Sequence, residues 1–139
     1  MPDPKSDALA IVIGGGSYQG QLFVYDPAEM VAALVSNGVR CANLRHRCPR
    51  PVGKPKYLSG WQDVQRVVRI CRANAAKWKV NPNRIGVIGF SAGGHVALMA
   101  AVSSQTPAYA PVDATDKLSC AVNFAVPAYP AYVLDGTTT

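Results

Sequence analysis

The sequence predicts an α/β protein: an open parallel sheet of about four strands with flanking helices. Three observations carry this. Short continuous apolar runs at Ala8–Ile13, Val39–Leu44, Ile85–Ile88 and Ala121–Val126 suit strands buried on both faces. Each interval between them contains a segment of helical spacing, which gives the crossover of about a dozen residues that parallel pairing requires. Glycine clusters follow the first and third runs, where strand-to-helix turns belong.

Taken in order, the first run ends in Gly14-Gly15-Gly16. Asp26-Pro27-Ala28-Glu29 then reads as a helix start, with Asp26 as cap, Pro27 first in the helix and Glu29 closing a capping box. Met30, Val31, Leu34 and Val35 form its apolar stripe, and Asn37-Gly38 ends it. Arg45–Leu58 holds three prolines and a glycine and reads as a loop. Ser59 and Gln62 are spaced for a second capping box. Trp61, Val64, Val67, Val68, Cys71, Ala75 and Trp78 follow at helical spacing for about five turns. Asn81-Pro82-Asn83 is a turn. Residues from Ala92 to Val102 are small and apolar almost all round, as in a helix buried on most sides. The last residues, Gly136–Thr139, are expected to fray.

Composition narrows the function classes. With 49% hydrophobic and 16% charged residues, the 139-residue chain reads as one soluble globular domain. No apolar run approaches the roughly 18 residues of a membrane span, so no membrane partner is expected. Met1–Ala10 carries no basic-then-apolar leader pattern, which leaves a cytoplasmic protein or one whose leader has been removed. The net charge of +6 comes largely from Arg45, Arg47, Arg50, Lys54 and Lys56, and from Arg66, Arg69, Arg72, Lys77 and Lys79. A nucleic-acid surface would interleave such charges with aromatics, yet the loop offers only Tyr57 at its end. Arg66, Arg69 and Arg72 fall on one helix face and read as a solvated face, so no nucleic-acid partner is expected. Cys41, Cys48, Cys71 and Cys120 follow no metal-ligand spacing. Cys41, Cys71 and Cys120 sit in apolar patterns as small hydrophobes, which leaves Cys48 as the one disulfide or reactive candidate.

Gly89-Phe90-Ser91-Ala92-Gly93 carries the chemistry. G-x-S-x-G arises by chance in roughly one chain in twenty of this length, so its setting decides. Here it lies between an apolar strand and a small-residue helix, the setting of a nucleophile elbow with Ser91 as nucleophile. Such a turn is crowded, and Gly89 and Gly93 meet its need for small neighbours. The rival, a phosphate-binding glycine turn, would want G-x-G-x-x-G, which Gly89, Ser91 and Gly94 fit poorly. Acyl transfer also needs donors aimed at the developing oxyanion. The backbone N–H of Ala92 is one. The second belongs on the loop after the strand beside the elbow strand, which singles out Gly15 or Gly16, with Ser17 and Tyr18 at the rim.

Gly14–Tyr18, Asn81–His95 and Tyr129-Pro130-Ala131-Tyr132 together resemble the α/β-hydrolase esterases grouped with acetylesterases and acetylxylan esterases. The likeness runs from about Ala8 to Asp135. It implies a partial α/β-hydrolase fold and a serine carboxylesterase with no metal and no cofactor. The implied substrates are small acyl esters, such as acetyl groups on sugars. Many lipase-like relatives carry His before the glycines; Ile13 stands there, so the resemblance is to the branch without it.

A serine hydroxyl needs a base, and in this fold the order is Ser, acid, His. After Ser91 come Asp113, Asp116 and Asp135, but only His95, one turn down the elbow helix, where a structural hydrogen-bonded role is expected. His46, in the basic loop, is expected in solvent. The chain therefore reads as a single truncated domain over 1–139, catalytically incomplete, with on the order of 100 residues missing. Its last strand, near Asn123, would be an unpaired apolar edge. The rival from another class is a non-catalytic α/β remnant that binds a ligand or partner.

Overall fold

The computed structural model describes residues 6–22 and 25–134. Asp135 and the tail expected to fray lie outside that range. The strands are β1 (Leu9–Ile13), β2 (Arg40–Leu44), β3 (Ile85–Phe90) and β4 (Phe124–Ala128). All pair in parallel in the order β2-β1-β3-β4. Helices α1 (Asp26–Ser36), α2 (Leu58–Ala73) and α3 (Ala92–Val102) make the connections, and a 3-10 turn, Ala114–Lys117, precedes β4.

Alternation along the central strands explains their unbroken apolar runs. Leu9, Ile11, Ile13, Ile85 and Val87 face α2 and α3, meeting Val64, Val68, Cys71, Val96, Ala97 and Ala100. Ala10, Val12, Ile88 and Phe90 face the other way, against Met30, Val31 and Leu34 of α1. Both faces are covered, so neither phase of the strand tolerates polar residues. On the β4 side, Gly86 lies in register with Phe124, whose ring occupies the space a Cβ would need. As expected, β4 is an edge of the described sheet, with Val126 47% exposed.

Several element boundaries differ from the sequence expectation, each for a local reason. The cap of α1 is Tyr25 rather than Asp26, because the Tyr25 carbonyl already accepts Glu29 N–H at 2.9 Å. The second capping box does not form. The chain winds from Pro55 onward, Tyr57 is the cap of α2, and Ser59 sits inside the first turn. At the far end, the Asn74 side chain donates to the Ile70 carbonyl and closes α2 at Ala73. The stripe continues through Ala75 in turns rather than helix, leaving Trp78 partly exposed. β4 begins three residues later than expected because the Asn123 side chain takes Ile85 N–H at 3.1 Å. Its Pro127 is tolerated on an edge strand, where one N–H can be dispensed with.

The arginine face of α2 is not a solvated face. Arg66 forms ion pairs with Asp113 and Asp116 at 2.6 and 2.9 Å. Arg69 donates to Tyr109 Oη and the Leu118 carbonyl, and Arg72 to the Pro82, Ser119 and Ala121 carbonyls. These side chains clasp the 103–123 connection onto α2. Gln65, 2% exposed, does the same from inside. Its amide nitrogen donates to the Thr106 and Ser103 carbonyls at 2.9 and 3.4 Å, and its oxygen accepts Ala108 N–H at 3.1 Å.

Gln65→Leu keeps the volume but strands the Thr106 carbonyl and the Ala108 N–H, while the Ser103 carbonyl keeps the Thr106 N–H. Urea denaturation of this variant is expected to show a loss of about 1–3 kcal/mol with an unchanged slope. A loss below about 0.5 kcal/mol would mean that the connection is not held by Gln65.

Candidate active site

Register builds the site before any side chain does. β1 and β3 align Ile13 with Gly89, so the next residues place Gly14-Gly15 alongside Phe90-Ser91. A Cβ on Gly15 would lie 3.0 Å from the Phe90 carbonyl, 3.1 Å from Ser91 Cβ and 3.7 Å from Ser91 Oγ. The triple-glycine loop and the serine turn therefore touch.

Ser91 links β3 to α3 with φ 54° and ψ −117°, a conformation that costs a non-glycine residue about 1–3 kcal/mol. Backbone bonds hold it there. Ser91 N–H donates to the Ala128 carbonyl at the end of β4, and the Ser91 carbonyl accepts from His95 and Ala131 N–H, both at 3.0 Å. The flanking glycines are steric necessities: a Cβ on Gly89 would overlap the Gly93 carbonyl, and one on Gly93 would overlap the Ile13 and Gly14 carbonyls. Ala92, fully buried, is the first residue of α3, where helical geometry gives its N–H no intrahelical acceptor. Gly16, at φ 127°, turns the loop back on itself; its carbonyl accepts Gln19 and Gly20 N–H, and the Gly15 carbonyl accepts Leu22 N–H.

Beneath this turn lies an aromatic and polar cluster that sequence reasoning did not find. Tyr18, expected at the rim, is 1% exposed, and a hydrogen bond of 3.0 Å joins its Oη to His95 Nδ1. His95 is thus hydrogen-bonded, as expected. Tyr132 and His46 lie against the Tyr18 ring, each at 5.8 Å between centroids, and Lys56 Nζ sits 4.5 Å over the Tyr132 ring. His46, expected in solvent, is 2% exposed. Its loop is drawn inward by Gln21, whose side chain donates to the His46 carbonyl, and by Arg47, which pairs with Asp63 of α2. Gly60 leaves the room: its missing Cβ would crowd Val96, Tyr18 and His46. A lone glycine in a helical stretch was the only signal of this in the sequence.

Burial governs the electrostatics here. It lifts the Tyr18 phenol far above its usual range, with Tyr132 adding to the effect. It lowers the His95 imidazole, and the positive charge of Lys56 lowers it further. Burial also lowers His46, against opposing pulls from the Arg47 carbonyl and Asp63. Of the later carboxylates, the two described ones, Asp113 and Asp116, are engaged elsewhere. Arg66 holds Asp113 down at about 2. Burial raises Asp116, but bonds from Tyr109 Oη, Val112 N–H and Arg66 outweigh it and leave the group well below the carboxylate range. Neither is available as a partner for a base at Ser91. The cysteines are free, with Cys71 and Cys120 buried, and burial raises the Cys71 thiol to about 11.

Both histidines are depressed below their unfolded value of 6.5, so between that value and the folded one the unfolded chain binds more protons. Their contribution is therefore complete above about pH 6.5 and is lost as the pH falls below it. Melting temperature should drop from pH 7 to 5, and His95→Asn should flatten the drop. An unchanged profile in that variant would remove His95 from the explanation.

The BD-FAE family profile matches residues 2–134. Acetylxylan esterase of Xylanibacter ruminicola is 30% identical over 112 residues, covering 77% of this chain and 21% of that protein. Esterase LipQ of Mycobacterium tuberculosis is 38% identical over 105 residues, covering 76% of this chain and 24% of that protein. Among solved structures, an acetyl ester-xyloside bifunctional hydrolase from Caldicellulosiruptor lactoaceticus superposes with a TM-score of 0.67 at 26% identity, covering 88% of this chain and 43% of that one. The chain thus spans less than half of each of these relatives. With its parallel sheet, its flanking helices and these likenesses, the chain belongs to the BD-FAE family of α/β-hydrolase esterases.

Proposed function

We propose that residues 1–139 form one domain that carries the nucleophile and oxyanion elements of a serine carboxylesterase acting on small acyl esters, acetyl esters of carbohydrates included. The observation that carries this is the contact between the Ser91 turn and Gly15. Ser91 Oγ attacks the ester carbonyl, the alcohol leaves with a proton from the base, and water then releases the acid from the acyl-serine.

Two amides are suited to the tetrahedral oxyanion. The Ala92 N–H is one of the orphan donors at the head of α3, on the positive end of the helix dipole. In a planar trans peptide the N–H points opposite to the preceding carbonyl. The Gly15 carbonyl turns toward Leu22, so the Gly16 N–H turns away from Leu22. This favours Gly16 over Gly15 as the second donor. The general base and its acid are not supplied to Ser91 by the described histidines or by Asp113 and Asp116: His95 Nδ1 is bonded to Tyr18, His46 is buried against the Tyr18 ring, and the two aspartates serve Arg66. Without them the chain keeps only the acceleration that an oxyanion hole alone supplies, about 10³–10⁴ over water.

A fluorophosphonate with intact-mass and peptide analysis tests the proposal. One phosphonyl group is expected on Ser91, slowly in this chain, and none in Ser91→Ala. Gly16→Ala, strained at its φ and blocked by the Gly20 carbonyl, should slow labelling about 10²–10³-fold. A longer chain that supplies an acid and a base yet leaves Ser91 unlabelled would favour the non-catalytic binding remnant instead.

A further inference from the structure

The two surfaces of the proposed oxyanion site come from different parts of the chain. One follows β1, the other joins β3 to α3, and a side-chain bond bridges them. After Gly16, two consecutive non-glycine residues adopt left-handed backbone, Ser17 at φ 54° and Tyr18 at φ 60°. That conformation is disfavoured for both, so surrounding contacts must impose it. Ser17 is exposed and offers no packing. Tyr18 supplies it: the ring is buried, the carbonyl accepts Arg50 N–H at 2.6 Å, and Oη meets His95 Nδ1. His95 lies one turn below Ser91, its own N–H bonded to the Ser91 carbonyl, so its ring is tied to the serine turn.

We infer that the Tyr18–His95 hydrogen bond is a tether that fixes the spacing between the Gly15–Gly16 amides and the Ser91–Ala92 turn. Tyr18 and His95 are positioning residues that never touch the substrate. The inference rests on the esterase reading of Ser91. It accounts for a histidine four residues after the serine that is nonetheless no base. It also accounts for a buried tyrosine directly after three glycines and a serine.

The test compares the full chain with Tyr18→Phe, His95→Leu, His95→Asn and the double variant Tyr18→Phe/His95→Leu. Amide exchange by NMR is read alongside fluorophosphonate kinetics. Tyr18→Phe keeps the ring and removes only the bond. It should raise exchange at Gly15, Gly16 and Ser17 about tenfold, the factor one neutral hydrogen bond supports, and leave the β2 amides unchanged. Maximal labelling rate should fall with little change in probe affinity. His95→Leu should match it, and the double variant should be no worse than either single one. His95→Asn, with a polar atom near the position of Nδ1, should restore the wild-type pattern. Wild-type exchange at Gly15–Ser17 in Tyr18→Phe, a uniform rise across the sheet, or failure of that variant to fold would each overturn the tether. Silent Ser91 in every variant would refute the esterase reading and with it the purpose of the tether. Normal labelling with unchanged exchange would refute the tether alone.

Discussion

Pairing between β1 and β3 decides where the chemistry can be. With Ile13 beside Gly89, the residues that follow each strand leave the sheet side by side, and the two loops must share one narrow space. A Cβ at position 15 would press tightly on the Ser91 turn, and only glycines at 89 and 93 let β3 pass into α3 at that angle. A slip of one residue in this register would exchange the two faces of β1 and bury α1 against the wrong set of side chains. Core packing and site geometry are therefore fixed by the same set of hydrogen bonds.

Much of the fold was legible because its signals are local. Buried parallel strands need uninterrupted apolar runs, and a helix enclosed by its neighbours needs small residues, so β1, β3 and α3 stand out in the sequence. The serine turn was legible for the same reason, since crowding forces glycines to fixed offsets from Ser91. Boundaries failed where a backbone group or an asparagine side chain replaced the expected cap, as at Tyr25, Asn74 and Asn123. The Tyr18 cluster left only one trace in the sequence, the lone Gly60 in a helical stretch. Its members come from the glycine loop, the basic loop, α3 and the segment after β4, and nothing in their spacing brings them together. Tyr18 in particular depends on a backbone conformation that its residue type does not favour.

Charge was the feature most open to misreading. A chain of net charge +6 with arginines along one helix invites a search for an anionic partner. Instead Arg66, Arg69 and Arg72 point into backbone carbonyls, Tyr109 and two aspartates of the following connection. The planar guanidinium makes several directed bonds at once, which suits it to fastening an irregular segment whose carbonyls have no ladder to join. This clasp and Gln65 carry the chain from the end of α3 to the start of β4. β4 in turn receives the Ser91 N–H at Ala128, so the distant arginines support the serine turn through the strand they deliver.

An oxygen bound to Ser91 should find two backbone N–H groups already in place. Amide spectra before and after covalent phosphonylation of the isotope-labelled chain read this directly. Downfield proton shifts are expected at Ala92 and at Gly16 on adduct formation, with the amides of β2 and the arginine clasp unmoved. An adduct on Ser91 that leaves both of those amides where they were would contradict it.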